Sequence, residues 1–354
     1  MSATAETPPR ATTIADDGDV LASPRRLVDV VLRARTFGIV AILGLFVLGT
    51  WLSQPSFLSG SNIRFILGDT AIYALVAIGE TFVVLTRNVD LSVGSVVGLS
   101  AYVSANQFQA HPGIPIVLVF LVGLGIGLGC GAITGLITAI GRVPSLVVTL
   151  AMLYIIRGVD TIIVGPGQVV ANALPNSFIN IFQDTVLGIP DLAWAVAIVV
   201  GVAAYYLRSY RSGRDLYAIG SDPAAARLAG IPIGKRVFFA FVLSGALAGI
   251  GGVIWATQYN TIDATAATGL ELQIIAAVVV GGVAIFGGSG SVVGAALGAL
   301  LLQTINVALN VLGVPSLWTE PIAGFLLLVA ISMDRGIQLR LAAALRKRRA
   351  HLGA

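Results

Sequence analysis

The sequence has little charge and almost no cysteine or histidine. Only 11% of its 354 residues are Asp, Glu, Lys or Arg, and it contains one cysteine and two histidines. The single cysteine, Cys130, excludes an internal disulfide framework, and its apolar surroundings argue against a catalytic thiol. His111 and His351 lie far apart in the sequence without other metal-binding side chains around them. We therefore expect no metal site and no cofactor on this chain.

Apolar sequence is present in excess. Hydrophobic residues make up 56% of the chain, and the mean hydropathy is +0.93. Apolar runs of about 20 residues with few charges recur along the chain, which is typical of helices that cross a bilayer. The net charge of +4 lies in short loops and tails, so it does not predict nucleic-acid binding. The composition predicts an all-α, polytopic integral membrane bundle whose surroundings are membrane lipid.

The apolar runs predict about ten transmembrane helices. These spans are 36–53, 63–86, 91–108, 115–140, 144–164, 191–207, 237–257, 270–287, 291–311 and 317–333. Residues 1–35 are polar and predict a disordered N-terminal tail. Residues 36–335 then form the transmembrane domain, and residues 336–354 a basic C-terminal tail.

The distribution of Lys and Arg predicts the orientation. Alternate loops and the C-terminal tail carry the cations, whereas the loops at 54–62, 109–114, 165–190, 258–269 and 312–316 contain none. Because cytoplasmic loops are enriched in Lys and Arg, both termini are predicted to be cytoplasmic.

Glycines recur at four-residue intervals in three spans. The stripes are Gly127-x-x-x-Gly131-x-x-x-Gly135, Gly245-x-x-x-Gly249 and Gly290-x-x-x-Gly294-x-x-x-Gly298. Small residues one turn apart let helix backbones approach closely in lipid. The stripes therefore predict close packing, either within one subunit or at a seam between two subunits.

The loop at 208–236, predicted to be cytoplasmic, contains the signature of a short helix. Asp222 is an N-cap residue, Pro223 suits the first helical position and Gly230 suits the left-handed position after the helix. A helix over 222–230 is too short to be stable alone, so we expect it to dock on its own bundle, on lipid or on a partner. Gly234-Lys235-Arg236 lacks the other residues of a phosphate-binding loop, so ATP chemistry would belong to another chain.

Several segments together resemble one family, the permease subunits of bacterial ABC importers for monosaccharides of the ribose/xylose/galactoside type. The resemblance covers residues from about 36 to 335 in order. It rests on Asp90-Leu91-Ser92-Val93-Gly94-Ser95, Val143–Leu150, Gly213–Gly220 with Ala225–Ile231, and the stretch from Glu271 to Ser291. Arg87-Asn88-Val89 stands where many members have two glycines and an isoleucine, and this variant is more similar to the rhamnose and autoinducer-2 branches.

The resemblance implies a membrane core of two permeases, either two copies or a pair of paralogues, in the bacterial cytoplasmic (inner) membrane. It also implies a cytoplasmic subunit that binds ATP and Mg, and an extracytoplasmic sugar-binding protein. We expect coupling to the ATPase through the cytoplasmic loop. The residues predicted to carry it are Arg214, Asp215, Tyr217, Asp222, Arg227 and Gly230.

Polar residues within or beside the spans are candidates for the translocation path or its gate, because such residues are costly in a bilayer. They are Glu80, Asn88, Asp90, Ser92 and Trp255. Asp90 is either a structural cap paired with Arg87 or a path residue, and Asn88 and Ser92 share these alternatives. Glu80 either lines the path or forms a buried hydrogen bond, and Trp255 either stacks on a sugar or anchors the helix at the membrane interface.

A rival function is a proton- or sodium-coupled secondary transporter with Glu80 and Asp90 as its ion site. That function would explain the two carboxylates. It leaves the capped cytoplasmic helix without a purpose.

Overall fold

The computed structural model describes residues 24–259 and 261–332, and these ranges contain thirteen α-helices and four two-residue strands. The helices are α1 Pro24–Ser53, α2 Gly60–Leu85, α3 Val93–Ala110, α4 Ile116–Ala139, α5 Ser145–Val164, α6 Asn176–Ile179, α7 Asp191–Ser209, α8 Arg211–Ser221, α9 Pro223–Leu228, α10 Ile233–Gln258, α11 Leu270–Val280, α12 Val292–Val311 and α13 Thr319–Ser332. The strands are β1 Val169–Val170, β2 Thr185–Val186, β3 Ile189–Pro190 and β4 Thr261–Ile262.

A helix occurs at each of the ten predicted spans, and the fold is that of a polytopic helical membrane protein. Among the described residues, α2, α4, α5, α7, α10 and α12 are both long and apolar enough to cross a membrane. The predicted tails at 1–23 and 336–354 lie outside the described residues. Residues 24–35 were also predicted to be tail, but they are part of α1, whose first residue Pro24 suits the first helical position.

The span predicted at 270–287 was too long. The helix α11 has 11 residues and ends at Val280, so it is about 16 Å long and cannot cross about 30 Å of hydrocarbon alone. Beyond it, Gly282, Gly287, Gly288 and Gly290 all have positive φ. Glycine adopts this left-handed region readily, so the chain leaves the helix and forms the loop at 281–291, here called the glycine loop.

The helices α2, α3 and α10 form the centre of the bundle. Helix α10 packs against α2, α3 and α4, while α12 packs against α2 and α11, and α5 and α7 pack on α3 and α2 respectively. Long stretches of α2 are buried on every side, from Ala71 to Leu85. A helix that is apolar and buried all round is expected in the middle of a membrane bundle.

The glycine stripes of α4 and α10 pack against each other within this chain. A Cβ added at Gly127 would lie 2.9 Å from Cα of Gly249, and one at Gly245 would lie 2.8 Å from Cα of Gly131. The third stripe also packs inside the chain, because a Cβ at Gly298 would lie 2.9 Å from N of Gly281. Of the two alternatives for these stripes, packing within one subunit is the one observed.

The segment at 165–190 has more structure than a plain loop. Strand β1 pairs antiparallel with β4, which follows α10, and β2 pairs with β3 as a hairpin. Helix α6 lies between β1 and β2 in the chain. Its Phe178 is fully buried and packs on Phe108 of α3 with ring centroids 4.8 Å apart. These contacts hold the predicted outer surface of the bundle to α3 and α10.

Candidate functional site

The chain breaks its helical path between α2 and α3. The hydroxyl of Thr86 donates to Val83 O at 2.7 Å, and Arg87 has a φ of 66° while its N–H donates to Val84 O at 3.0 Å. These bonds end α2 with satisfied carbonyls, and the positive φ turns the chain away from the helix axis.

The side chain of Arg87 connects this break to the end of α8 by hydrogen bonds. Its Nε donates to Gly220 O at 2.6 Å and its Nη2 donates to Ser221 O at 2.7 Å. Both acceptors belong to the last turn of α8, where carbonyls lack intrahelical partners and the helix dipole favours a cation. The predicted pairing of Arg87 with Asp90 was therefore wrong, since the guanidinium is bound to these carbonyls.

Asp90, Ser92 and Glu80 form a buried hydrogen-bonded group. Glu80 Oε1 accepts from the Asp90 N–H at 3.0 Å, and Asp90 Oδ1 accepts from the N–H of Ser92 at 2.9 Å and from its hydroxyl at 2.5 Å. The exposed fractions are 0% for Glu80 and 2% for both Asp90 and Ser92. Between the two alternatives for these residues, the contacts favour a structural role in shaping the break.

Asn88 has different surroundings. Its Nδ2 donates to Thr86 O at 3.1 Å and to the Thr86 hydroxyl at 2.9 Å. It also lines a cavity of about 690 Å³ together with Arg142 and Arg227. Asn88 therefore lies beside open space, unlike the fully buried Glu80.

We expect replacement of Glu80 by alanine to destabilise the protein far more than replacement by glutamine. Alanine leaves the buried Asp90 N–H without its acceptor and opens a cavity, together costing about 3 kcal/mol or more. Glutamine keeps an acceptor oxygen of similar size. Thermal melting of the two detergent-solubilised variants measures the difference. Equal losses in the two variants would instead show that the negative charge of Glu80 is what matters.

The predicted cytoplasmic helix is present as α9. Asp222 Oδ1 accepts from the N–H groups of Ala224 and Ala225 at 2.9 and 3.1 Å. After the helix, Gly230 has a φ of 74°, its N–H donates to Arg227 O, and the Ile231 N–H donates to Ala226 O, both at 3.0 Å. Both ends of α9 are therefore capped as the sequence predicted. Arg227 is exposed on its last turn.

Two of the predicted coupling residues hold the preceding helix α8 in place. Arg236 of α10 forms a salt bridge with Asp215 at 2.8 Å. The Tyr217 hydroxyl donates to Gly290 O at 3.0 Å, and burial raises the pKa of Tyr217 to about 12. In contrast, Arg214 is exposed and donates locally to Ser209 O at 2.7 Å. Helix α8 itself was not predicted, although Leu216 and Ile219, both buried, have helical spacing.

Three segments meet where α8 ends, and we call this contact the inner junction: the α2–α3 break at 86–92, the end of α8 at 217–221 and the glycine loop. The Gly288 N–H donates to Leu85 O at 3.1 Å. A Cβ on Gly220 would lie 2.9 Å from Cα of Gly288, so the backbones touch without intervening side chains. Helix α9 begins directly after this contact. Helix α9 is therefore linked, through Gly220 and Ser221, to the end of α2.

Trp255 lies near the C-terminal end of α10, far from Arg236 at the start of that helix. Its ring stacks on Tyr259 with centroids 4.0 Å apart and an interplanar angle of 14°, and the Tyr259 hydroxyl donates to Asp69 Oδ1 at 3.2 Å. Trp255 is only 9% exposed. This burial argues against an interfacial anchor, because an anchoring indole would face the lipid headgroups.

Sequence reasoning missed Arg157 of α5. Its Nη1 donates to Ala266 O at 2.7 Å and to Ala264 O at 3.2 Å, and Asp160 lies 3.7 Å away. It thereby holds the segment between β4 and α11 against α5. The available signal was the charge itself, since a cation inside an otherwise apolar span indicates a specific partner.

Comparison with known proteins agrees with the resemblance seen in the sequence. The chain is 37% identical over 284 residues to the ribose import permease protein RbsC of Haemophilus influenzae, covering 79% of this chain and 87% of that protein. It is 35% identical over 295 residues to the autoinducer 2 import system permease protein LsrC of Enterobacter sp. (strain 638), covering 83% and 84%. It is 36% identical over 300 residues to RbsC of Escherichia coli K12, covering 84% and 92%. No solved structure gave a significant match.

The match to a protein family covers most of the described chain. It extends over residues 62–331, and therefore includes the α2–α3 break, α8, α9 and the glycine loop. By this match and by these relatives, the chain belongs to the family of transport permeases described as "Branched-chain amino acid transport system / permease component".

Proposed function

We propose that this chain is the membrane-spanning permease subunit of an ATP-driven sugar importer in a bacterial inner membrane, with both termini in the cytoplasm. Its relatives are named as import permeases for ribose and for autoinducer 2. The proposed partners are a second permease copy or paralogue, a cytoplasmic subunit that holds ATP and Mg, and an extracytoplasmic sugar-binding protein. Hydrolysis belongs to the ATPase subunit, and this chain supplies the path and its gate.

The observation that carries this proposal is the inner junction. A capped helix of six residues, most of them exposed, is joined by Gly220 and Ser221 to the Arg87 guanidinium at the end of α2. Movement of α9 by an ATPase subunit would thus be delivered to the α2–α3 break. A secondary transporter would have no use for this connection.

The proposed path runs from the outer half, beside Trp255, to the cavity at Asn88. Asp69, Tyr259 and Trp255 combine a carboxylate, a hydroxyl and an indole, the groups that bind sugar hydroxyls and ring faces. For the substrate we propose a sugar or sugar-like molecule of the size of ribose, autoinducer 2 or rhamnose. The proposal of rhamnose as substrate is supported by the Arg87-Asn88-Val89 segment alone.

The function is tested in proteoliposomes that contain the permease and its ATPase subunit, with the binding protein and radiolabelled ribose, rhamnose or autoinducer 2 outside. We expect uptake of one of these compounds to require ATP inside and to persist when a protonophore is added. Uptake that continues without the ATPase subunit and stops with the protonophore would contradict the proposal in favour of ion coupling.

Reversal of the charge at Arg227 is expected to lower ATP-coupled uptake by about tenfold. Arg227 is exposed at the end of α9, so glutamate there would meet the ATPase with the wrong charge, at a cost of the order of 1–2 kcal/mol. Membrane insertion should be unchanged. Arg208→Glu, which makes the same change outside α9, is the control. Unchanged uptake in Arg227→Glu would contradict a docking role for α9.

A further inference from the structure

A groove opens where α4 ends and α10 begins. The two helices touch along their glycine stripes, but beyond Gly135 the facing residues are large, and a Cβ at Gly135 would already lie 3.2 Å from the Phe238 ring. The helices therefore separate around Leu136, Ile140, Ile233 and Phe238. The groove has a volume of about 620 Å³, within the range of about 300–1,000 Å³ of natural ligand pockets.

The walls of this groove are apolar and open. Leu136 is 51% exposed and Ile140 is 68% exposed. Both follow the stripe of α4, a helix long and apolar enough to cross a membrane. In lipid such side chains contact acyl chains, so the groove presents a concave apolar surface to the hydrocarbon.

A cationic side chain lies at the rim of the groove. Lys235 lines the groove and is exposed, and it has no hydrogen bond or salt bridge with any described residue. The neighbouring Arg236 differs, since it is bound to Asp215. A second cation, Arg142, lines the adjoining cavity, which shares Ile233 and Gly234 with the groove.

The position of the groove along the helices fits the boundary of the bilayer. It lies at the last turn of α4 and the first turn of α10, where one apolar helix ends and the other begins. Phospholipid phosphates lie at this level on either side of the membrane, so the groove meets them in either orientation of the chain. Basic pockets between transmembrane helices at this depth suit anionic headgroups.

We propose that this groove binds an anionic phospholipid, with an acyl chain along Leu136, Ile140 and Phe238 and the phosphate at Lys235. Charge complementarity selects this occupant, because the apolar wall and the Lys235 ammonium, which is not paired with any described residue, together match a molecule with a long chain and an anionic head. The lipid would lie against the first turn of α10, next to the Arg236–Asp215 salt bridge that holds α8.

Native mass spectrometry of the full chain tests the proposal, with protein released from nanodiscs of phosphatidylcholine and phosphatidylglycerol. We expect phosphatidylglycerol to be retained about fivefold more than phosphatidylcholine, the effect of one cation near an anionic head. Lys235→Gln should abolish this preference, whereas Arg211→Gln, which removes an exposed cation outside the groove, should preserve it. Leu136→Asn should lower the retention of both lipids.

Three results would overturn the proposal. An unchanged preference in Lys235→Gln would show that Lys235 does not bind the headgroup. Displacement of the lipid by millimolar glycerol phosphate would indicate a site for soluble anions. Cross-linking of Leu136→Cys between two copies, in a Cys130→Ser background, would show that a second subunit fills the groove.

Discussion

Valine in place of Gly127 is expected to prevent α4 and α10 from packing and to leave little correctly folded protein. A Cβ at this position would lie 2.9 Å from both Cα of Gly249 and the carbonyl carbon of Gly245. These are backbone atoms of a central helix, so they cannot rotate aside as a side chain could. Overpacking costs about 1–3 kcal/mol where neighbours can move, and we expect at least the upper value here.

Gly129→Val is the matched control for this prediction. Gly129 lies on the same helix two residues away, and an added Cβ there meets nothing within 4 Å. Size-exclusion chromatography and thermal melting of the detergent-solubilised variants should show a monodisperse, stable Gly129→Val and an aggregated or low-melting Gly127→Val. Similar behaviour of the two variants would disprove close packing of the α4 and α10 backbones.

Removal of the Arg87 side chain is expected to uncouple transport from ATP hydrolysis. Alanine deletes both hydrogen bonds from the guanidinium to Gly220 O and Ser221 O, while the fold of each helix is retained. The side chain is exposed, so we assign the two bonds together about 2 kcal/mol, which corresponds to about thirtyfold in a coupling equilibrium. Sugar uptake in proteoliposomes should fall by roughly this factor while ATP hydrolysis continues.

Two further variants make the Arg87 test specific. Arg87→Lys should recover only part of the activity, because a single ammonium lacks the planar fork that reaches two carbonyls. Arg64→Ala removes another exposed arginine whose Nε donates to a backbone carbonyl, Gly60 O at 3.2 Å, and should have no effect. Full uptake by Arg87→Ala would show that the inner junction does not transmit the movement.

The fold followed from the sequence where the signal was local. Ten apolar runs predicted the positions of ten helices, and Asp222 and Gly230 predicted both ends of α9, because capping depends on neighbours in sequence. The end of α11 was missed, since a run of apolar residues conceals the point at which glycines such as Gly282 leave the helix. Helix α8 was missed because its stability comes from tertiary partners, notably Arg236 and Gly290.

The site was less predictable because its contacts join residues far apart in sequence. Asp90 lies only three positions after Arg87 in the chain, and pairing them was the natural expectation from sequence. The guanidinium instead binds carbonyls more than 130 positions away, and no pattern around Arg87 contains that information. Glu80 illustrates the same limit, since its bond to the Asp90 N–H depends on how the break folds back over α2.

Most of the inner junction is main chain. The hydrogen-bonded groups described above are the carbonyls of Leu85, Gly220, Ser221 and Gly290 and the N–H of Gly288, together with the side chains of Arg87 and Tyr217. Because main-chain groups form most of this contact, most alanine substitutions would leave it unchanged. It depends instead on the number of residues between the contacting groups along the chain. Deleting or inserting one residue in the glycine loop should therefore be far more harmful than exchanging the side chains around it.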